Sequence, residues 1–216
     1  IRCVKNLAHH PNFGGEIMVV SLGCEKLSVD RILEKDEIND ENVVVLQECD
    51  GYSGMIDSIM AMADKKLKKL NERRRTELPV SKLYVGTQCG GSDAFSGISA
   101  NPAIGYALGL LAKQGAATIF SEVTEVRDAV EMIALRCQDQ ETVDKLKKEI
   151  GWYDEYLRKG GVDRSANTTP GNKKGGLSNI KEKSMGSVAK SGFSPIVGVL
   201  GPAEMPEKGG MHFMAT

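Results

Sequence analysis

No apolar run in this 216-residue chain reaches the roughly 18 residues that a membrane span needs, so no spanning helix is expected. No secretory leader is visible at its start. There is no Cys-x-x-Cys pair, and the five cysteines are odd in number and widely spaced. That pattern excludes a disulfide framework and fits free thiols in a reducing, cytoplasmic setting. Two nucleotide signatures are missing as well. Without GxGxxG and an acidic residue about 20 positions on, a nicotinamide-binding unit is disfavoured. The glycine-rich loop near residue 170 lacks the GxxxxGK[ST] spacing of a nucleotide phosphate cradle. Charge of one sign is missing too: 28 basic against 29 acidic residues leave a net charge of -1, which provides no nucleic-acid footprint. The one basic run, Lys65-Lys66-Leu67-Lys68-Lys69 with Arg73-Arg74-Arg75, has helical spacing with Leu67 and Leu70 turned inward. It reads as a solvated helix face.

What remains is a chain able to build a real core, with 41% hydrophobic residues. Its length suits one large domain or one and a half small ones. Residues 1–10 read as a helix. Short apolar runs at 16–22, 42–47, 83–87, 117–121, 196–200 and 211–214 read as strands. Helices are expected from Ser53, as cap, to Arg75; from Asn101-Pro102 to a stop at Gly115; and over 125–136, 140–159 and 177–190. Trp152 and Tyr153 are expected in the core, and His9, His10 and His212 in structural or surface roles. Alternation of strand and helix gives the fold class α/β: a layered, mostly parallel Rossmann-like sheet flanked by helices. The chain opens on a helix already under way and closes on a strand. It is expected to be one block, residues 1–216, of a longer protein.

Chemistry gathers where strands end. Leu83-Tyr84-Val85 runs into Gly86-Thr-Gln-Cys-Gly-Gly-Ser-Asp-Ala-Phe-Ser96. A strand that breaks into a glycine turn before a helix is where open α/β sheets place ligands. Glycine lets backbone N–H groups approach a ligand, and a helix N-terminus favours an anion. The bland reading is an ordinary strand-to-helix turn with a buried cysteine. A similar strand end presents Gly23-Cys24-Glu25-Lys26, whose bland reading is a buried thiol before a helix-starting Glu. Thiolates favour zinc, ferrous iron or iron–sulfur clusters over magnesium or calcium. A third strand end carries Glu122, Glu125, Arg127 and Asp128, which offers acid–base groups and a carboxylate clamp, or helix capping by Thr124 and Asp128. The loop Ser165–Gly176, with Asn167, Asn172, Lys173 and Lys174, reads as an anion-binding loop or a flexible connection.

Four of these stretches carry a resemblance. Ser21-Leu-Gly-Cys-Glu-Lys-Leu27, Gln88 through Ala103, Phe120 through Asp128 and Asn167 through Asn179 resemble the D-galactarate dehydratase/altronate dehydratase family, with the Ser165–Asn179 loop and the Arg73-Arg74-Arg75 region nearer the galactarate branch. The resemblance implies a hydro-lyase that removes water from a sugar diacid to give a keto-deoxy acid. It implies a ferrous cofactor, with other divalent metals as alternatives, and further segments on both sides of this chain. The same superfamily includes a sulfolactate sulfo-lyase. Dehydration beside a carboxylate needs a base, a Lewis acid and cations. In that light Cys24 and Cys89 are expected as metal ligands, and Glu122, Asp93 and Lys26 as catalytic groups. Gln88, Gly90, Gly91, Ser92, Ser96, Arg127, Asn172, Lys173 and Lys174 are expected to bind substrate. The expected partners are the diacid and a second copy in a dimer, with no nucleic acid or membrane. The rival reading is a non-catalytic sugar-acid-binding module.

Overall fold

The computed structural model describes residues 1–216, the Arg164 side chain apart. The chain divides into two compact units, Ile1–Glu77 and Leu78–Thr216. Among the described residues no helix is long and apolar enough to cross a membrane.

In the first unit α1 spans Arg2–Ala8, β1 Val19–Ser21, β2 Val43–Val45 and α2 Gly51–Glu72. β1 and β2 pair in parallel, Val19 opposite Val43. Ile17, Ile32 and Leu33 form a small core with Ala8, Val19, Leu27, Val29 and Val43 around it. α2 starts at Gly51, with Asp50 rather than Ser53 in the cap position. Its rotation also differs from the sequence expectation. Leu67 is 52% exposed, and Lys66 is buried in its place. The reason is polar: Lys66 Nζ lies 3.2 Å from Glu16 Oε2 and 2.5 Å from Asn42 Oδ1, while its apolar stem fills the space a leucine would take. The other lysines of the run, Lys65, Lys68 and Lys69, are exposed.

The second unit holds a four-stranded parallel sheet. β3 is Tyr84–Thr87, α3 Ala100–Lys113 and β4 Ala117–Ser121. Then come α4 (Val123–Val126), α5 (Val130–Ala134), α6 (Gln140–Lys159), α7 (Pro170–Lys174), α8 (Ile180–Lys190), β5 (Ile196–Leu200) and β6 (Gly210–Met214). The strand order is β3-β4-β6-β5. The central strands β4 and β6 pair Phe120 with Phe213, whose rings lie 5.2 Å apart. Around them Leu108, Val123, Val126, Ile133, Leu146, Ile196 and Met211 are buried. Each such side chain stabilises the fold by about 1.5–3 kcal/mol relative to exposure. This is the parallel α/β sheet flanked by helices that the alternation predicts.

Two helical expectations fail for physical reasons. The single helix over 125–136 is broken into α4, a 3-10 turn at Arg127–Ala129, and α5. Val123, Glu125, Val126, Arg127, Ala129 and Ile133 are all buried, more residues than one face of a straight helix can turn inward. Trp152 is 63% exposed and stacks on Tyr156, its neighbour one turn along α6, while Leu146 and Ile150 face inward.

α8 is held against α3 by an unusually close crossing. A Cβ on Gly105 would meet Ala189 O and stand 2.7 Å from Gly192 N, and Gly192 itself has φ +65°. Asn101 Nδ2 donates to Gly186 O at 3.0 Å. Gly105→Ala should therefore destabilise the protein by about 1–3 kcal/mol or more, because backbone and not a mobile side chain must yield. Urea denaturation of wild type and variant measures this, and equal midpoints would show that the helices can separate freely.

Candidate functional site

β3 and β4 are parallel neighbours, Thr87 opposite Phe120, so their carboxyl ends share one edge of the sheet. Gln88-Cys89 leaves one strand there and Glu122 leaves the other. The Cys89 N–H donates to Glu122 Oε1 at 2.7 Å, and Gln88 Nε2 donates to the same oxygen. Ser121 Oγ reaches Gln88 Oε1 at 3.1 Å and so helps orient the amide. Glu122 has φ +81°, in the left-handed region where a non-glycine residue is strained. Such strain costs of order 1–3 kcal/mol and persists only where surrounding bonds hold it. Here the holders are the Gln88 and Cys89 donors and, one residue on, the Val123 N–H bound to Thr216 O at 3.1 Å. Glu122, not Thr124, occupies the cap position of α4, and its side chain is turned to Cys89 instead of capping the helix.

α4 then brings Glu125 back beside Glu122. Glu125 Oε1 lies 2.9 Å from Lys183 Nζ, and Glu125 Oε2 accepts Ser187 Oγ at 2.9 Å. Lys190 Nζ stands 3.6 Å from Glu122 Oε2, which accepts no hydrogen bond from the described residues. Lys183, Ser187 and Lys190 lie four and three residues apart on α8, hence on one helix face. Lys183 also donates to Asn167 O at 3.0 Å and Asn167 Oδ1 at 2.6 Å.

Cys89 Sγ, a Glu122 oxygen and a Glu125 oxygen all lie within 4.8 Å of one another. Burial pushes the Glu122 carboxyl above its ordinary range, and the adjacent Glu125 pushes it further. Burial alone would raise Glu125 too, but hydrogen bonds with Glu122, Lys183 and Ser187 outweigh it and hold Glu125 low. Of the two carboxylates, Glu122 therefore has the higher proton affinity. Burial also pushes the Cys89 thiol up, against a hydrogen-bonding contact of 2.9 Å to Ser92 Oγ. One sulfur and two carboxylates are a donor set suited to a first-row divalent ion. Lys183 and Ser187 orient Glu125 in the way outer-shell groups orient a ligating carboxylate. The residues present fit a metal ion.

The other expected residues fall in several places. Cys24 and Lys26 lie on an exposed loop of the first unit. Between them Glu25 folds back on that loop, accepting Ser21 Oγ at 2.6 Å and Gly23 N–H at 2.7 Å, which lowers its carboxyl to about 2. Asp93 and Ser96 bind each other across a turn, Ser96 N–H to Asp93 Oδ1 at 2.7 Å, on the wall of a cavity of about 460 Å³ that Lys183 also lines. Gly90 and Gly91 are exposed. Asn172 caps α7 with Thr169 and donates to Ser92 O at 2.9 Å, so it braces the Cys89 loop. Lys173 and Lys174 are exposed on α7. Arg127 is buried and paired with Asp154 Oδ1 at 3.1 Å. Sequence reasoning missed Lys183, Ser187 and Lys190. The available signal was polar residues at helical spacing in a segment flanked by core strands.

The two units match two family models. The model described as "D-galactarate dehydratase/Altronate hydrolase, second domain" covers residues 1–71, and "D-galactarate/Altronate dehydratase, C-terminal" covers 80–216. The chain is 50% identical over its whole length to galactarate dehydratase (L-threo-forming) of Escherichia coli K12, of which it spans 43%. It is 33% identical over 98% of its length to altronate dehydratase of Bacillus subtilis 168, spanning 42% of it. With the (2R)-sulfolactate sulfo-lyase subunit beta of Chromohalobacter salexigens it shares 34% identity over 67% of its own length and 38% of the relative's. It therefore spans less than half the length of these relatives.

The Glu25 loop gives a pH expectation with a definite sign. A carboxylate held below its unfolded value of about 4.5 stabilises the fold above that pH, and the contribution is lost as pH falls towards about 2. Glu25→Gln should flatten the acid dependence of stability between about pH 5 and 2. Acid titration of the unfolding midpoint for both proteins checks it; an unchanged slope would mean the loop bonds do not survive in solution.

Proposed function

Because the chain belongs to the D-galactarate/altronate dehydratase family, we propose that it supplies the reacting centre of a hydro-lyase that dehydrates a sugar diacid, galactarate first. The observation that carries this reading is the cluster of a half-buried Cys89 and the buried Glu122 and Glu125 at the carboxyl edge of the sheet. The substrate choice is supported by the 50% identity to galactarate dehydratase against 33% to the Bacillus altronate dehydratase.

Loss of water next to a carboxylate divides into two tasks. A base takes the proton from the carbon beside the carboxylate, and the hydroxyl on the next carbon leaves with a proton as water. The resulting enol shifts a proton to carbon and becomes the keto-deoxy acid. Glu122 suits the first task. One of its oxygens is fixed by two donors, while the other accepts none, and its raised proton affinity brings it nearer neutral operating pH. Cys89 and Glu125 would hold a ferrous ion, which when bound supplies a Lewis acid for the departing hydroxyl. Glu125 has its two oxygens oriented by Lys183 and Ser187, and each retains a lone pair to offer. Cys89 and Glu122 move together, since the Cys89 N–H is bonded to the Glu122 carboxylate. A cytoplasmic location, which would keep thiol and ferrous iron reduced, belongs to the same proposal.

The two carboxylates should separate on mutation in the full-length protein. Glu122→Gln should keep iron yet lose about 10²–10⁴-fold in turnover of galactarate, the range for a missing general base. Glu125→Gln and Cys89→Ser should lose iron itself, read as metal content after anaerobic gel filtration. Anaerobic assays on galactarate, altronate and sulfolactate decide the substrate. Near wild-type activity in Cys89→Ser would remove the thiol from the ligand set. No turnover of any of the three by iron-loaded wild type would overturn the dehydratase reading.

A further inference from the structure

The two buried lysines of α8 are not equivalent. Lys183 is fully engaged: its ammonium contacts Glu125 Oε1 at 2.9 Å, Asn167 O at 3.0 Å and Asn167 Oδ1 at 2.6 Å. An ammonium has three donors, and those three contacts use them. Lys190 is as deeply buried, its side chain 6% exposed, yet makes no hydrogen bond to the described residues. Its one ionic contact is Glu122 Oε2 at 3.6 Å, which is too long for a hydrogen bond. A lysine stem buried this deeply that spends none of its ammonium donors on the protein keeps them for a further acceptor.

Chemistry identifies the acceptor. The acidic hydrogen of a hydroxy acid sits on the carbon bonded directly to the carboxylate carbon. A cation that binds that carboxylate must therefore lie within a few ångströms of the base that takes the hydrogen. Glu122 is that base, and its open oxygen is the atom next to Lys190. The alternatives lie elsewhere: Arg127 is paired with Asp154, and Lys173 and Lys174 are exposed on α7. We propose that Lys190 is a catalytic residue that receives the substrate carboxylate adjacent to the acidic carbon and neutralises the second negative charge that gathers on it as the proton leaves. This inference rests on the dehydratase reading for its substrate. No bond is made or broken by Lys190 itself. The carbon–hydrogen electron pair moves into the carboxylate, and the ammonium stabilises the resulting charge.

The test uses the full-length protein loaded anaerobically with ferrous iron and compares wild type, Lys190→Met, Lys190→Gln and Lys190→Arg. Three quantities are read: iron content, the galactarate dissociation constant by calorimetry, and turnover. Lys190→Met and Lys190→Gln should keep iron, bind galactarate about tenfold more weakly or worse, and lose about 10³-fold in kcat, while Lys190→Arg recovers part of the binding. A purely structural lysine would instead lose iron or thermal stability with the dissociation constant of the surviving folded protein unchanged. Wild-type affinity in a folded, iron-loaded Lys190→Gln overturns the proposal. So does wild type that carries iron but binds no galactarate. If wild type binds galactarate without converting it, and the Lys190 variants bind it less well, the anchor stands and the dehydration reading falls.

Discussion

Two carboxylates share a dry corner of this protein, and much of the surrounding structure exists to make that tolerable. Ionised groups out of water are expensive unless paired and hydrogen-bonded. Glu122 and Glu125 are supported from two directions. The end of β3 contributes a side-chain amide and a backbone N–H, and one face of α8 contributes two ammonium groups and a hydroxyl. Remove the helix and the carboxylates lose their counter-charge. Separate the strands and Glu122 loses the donors that hold its backbone in a left-handed conformation. The glycine crossing of α3 and α8 belongs to the same arrangement, because a helix seated that closely brings Lys183 to 2.9 Å from Glu125 and Lys190 to 3.6 Å from Glu122.

The sheet was legible because its strands are short apolar runs punctuated by glycine, and that pattern survives without tertiary information. α6 was legible to the residue, since Asp139 caps it and Gly160 follows it. Glu122 could be singled out because a carboxylate at a strand tip is placed by topology. Its partner lysines could not. On a helix the same letters serve a solvated face or a buried ionic one, and only packing against α3 and α4 distinguishes them. Lys66 makes the same point in the first unit, where a lysine displaces Leu67 from the inward face because Glu16 and Asn42 await it. Local hydrogen bonding misled in the other direction. Cys24-Glu25-Lys26 has the composition of a site, yet Glu25 is spent on its own backbone.

The boundary between the two structural units, after Glu77, falls in the gap between the two family models, which end at 71 and resume at 80. The Cys89–Glu122–Glu125 cluster proposed to carry the chemistry is drawn wholly from the second unit. Long exact motifs made the family readable from sequence, but they mix two kinds of residue. Cys89 and Glu122 meet reacting atoms in the proposed mechanism, whereas Asn167 and Asn172 hold a lysine and a loop in place. Shared letters alone do not separate those roles.

The parallel connectivity also sets an order of events in time. About a hundred positions separate Cys89 from Lys190, and parallel strands meet only after long loops close. A growing chain therefore exposes its thiol well before the helix that encloses the site has been made. In that interval Cys89 titrates as an ordinary cysteine, with more thiolate than the folded environment permits. An oxidant meets the nascent chain on easier terms than the finished protein, so damage at this sulfur would be decided during synthesis.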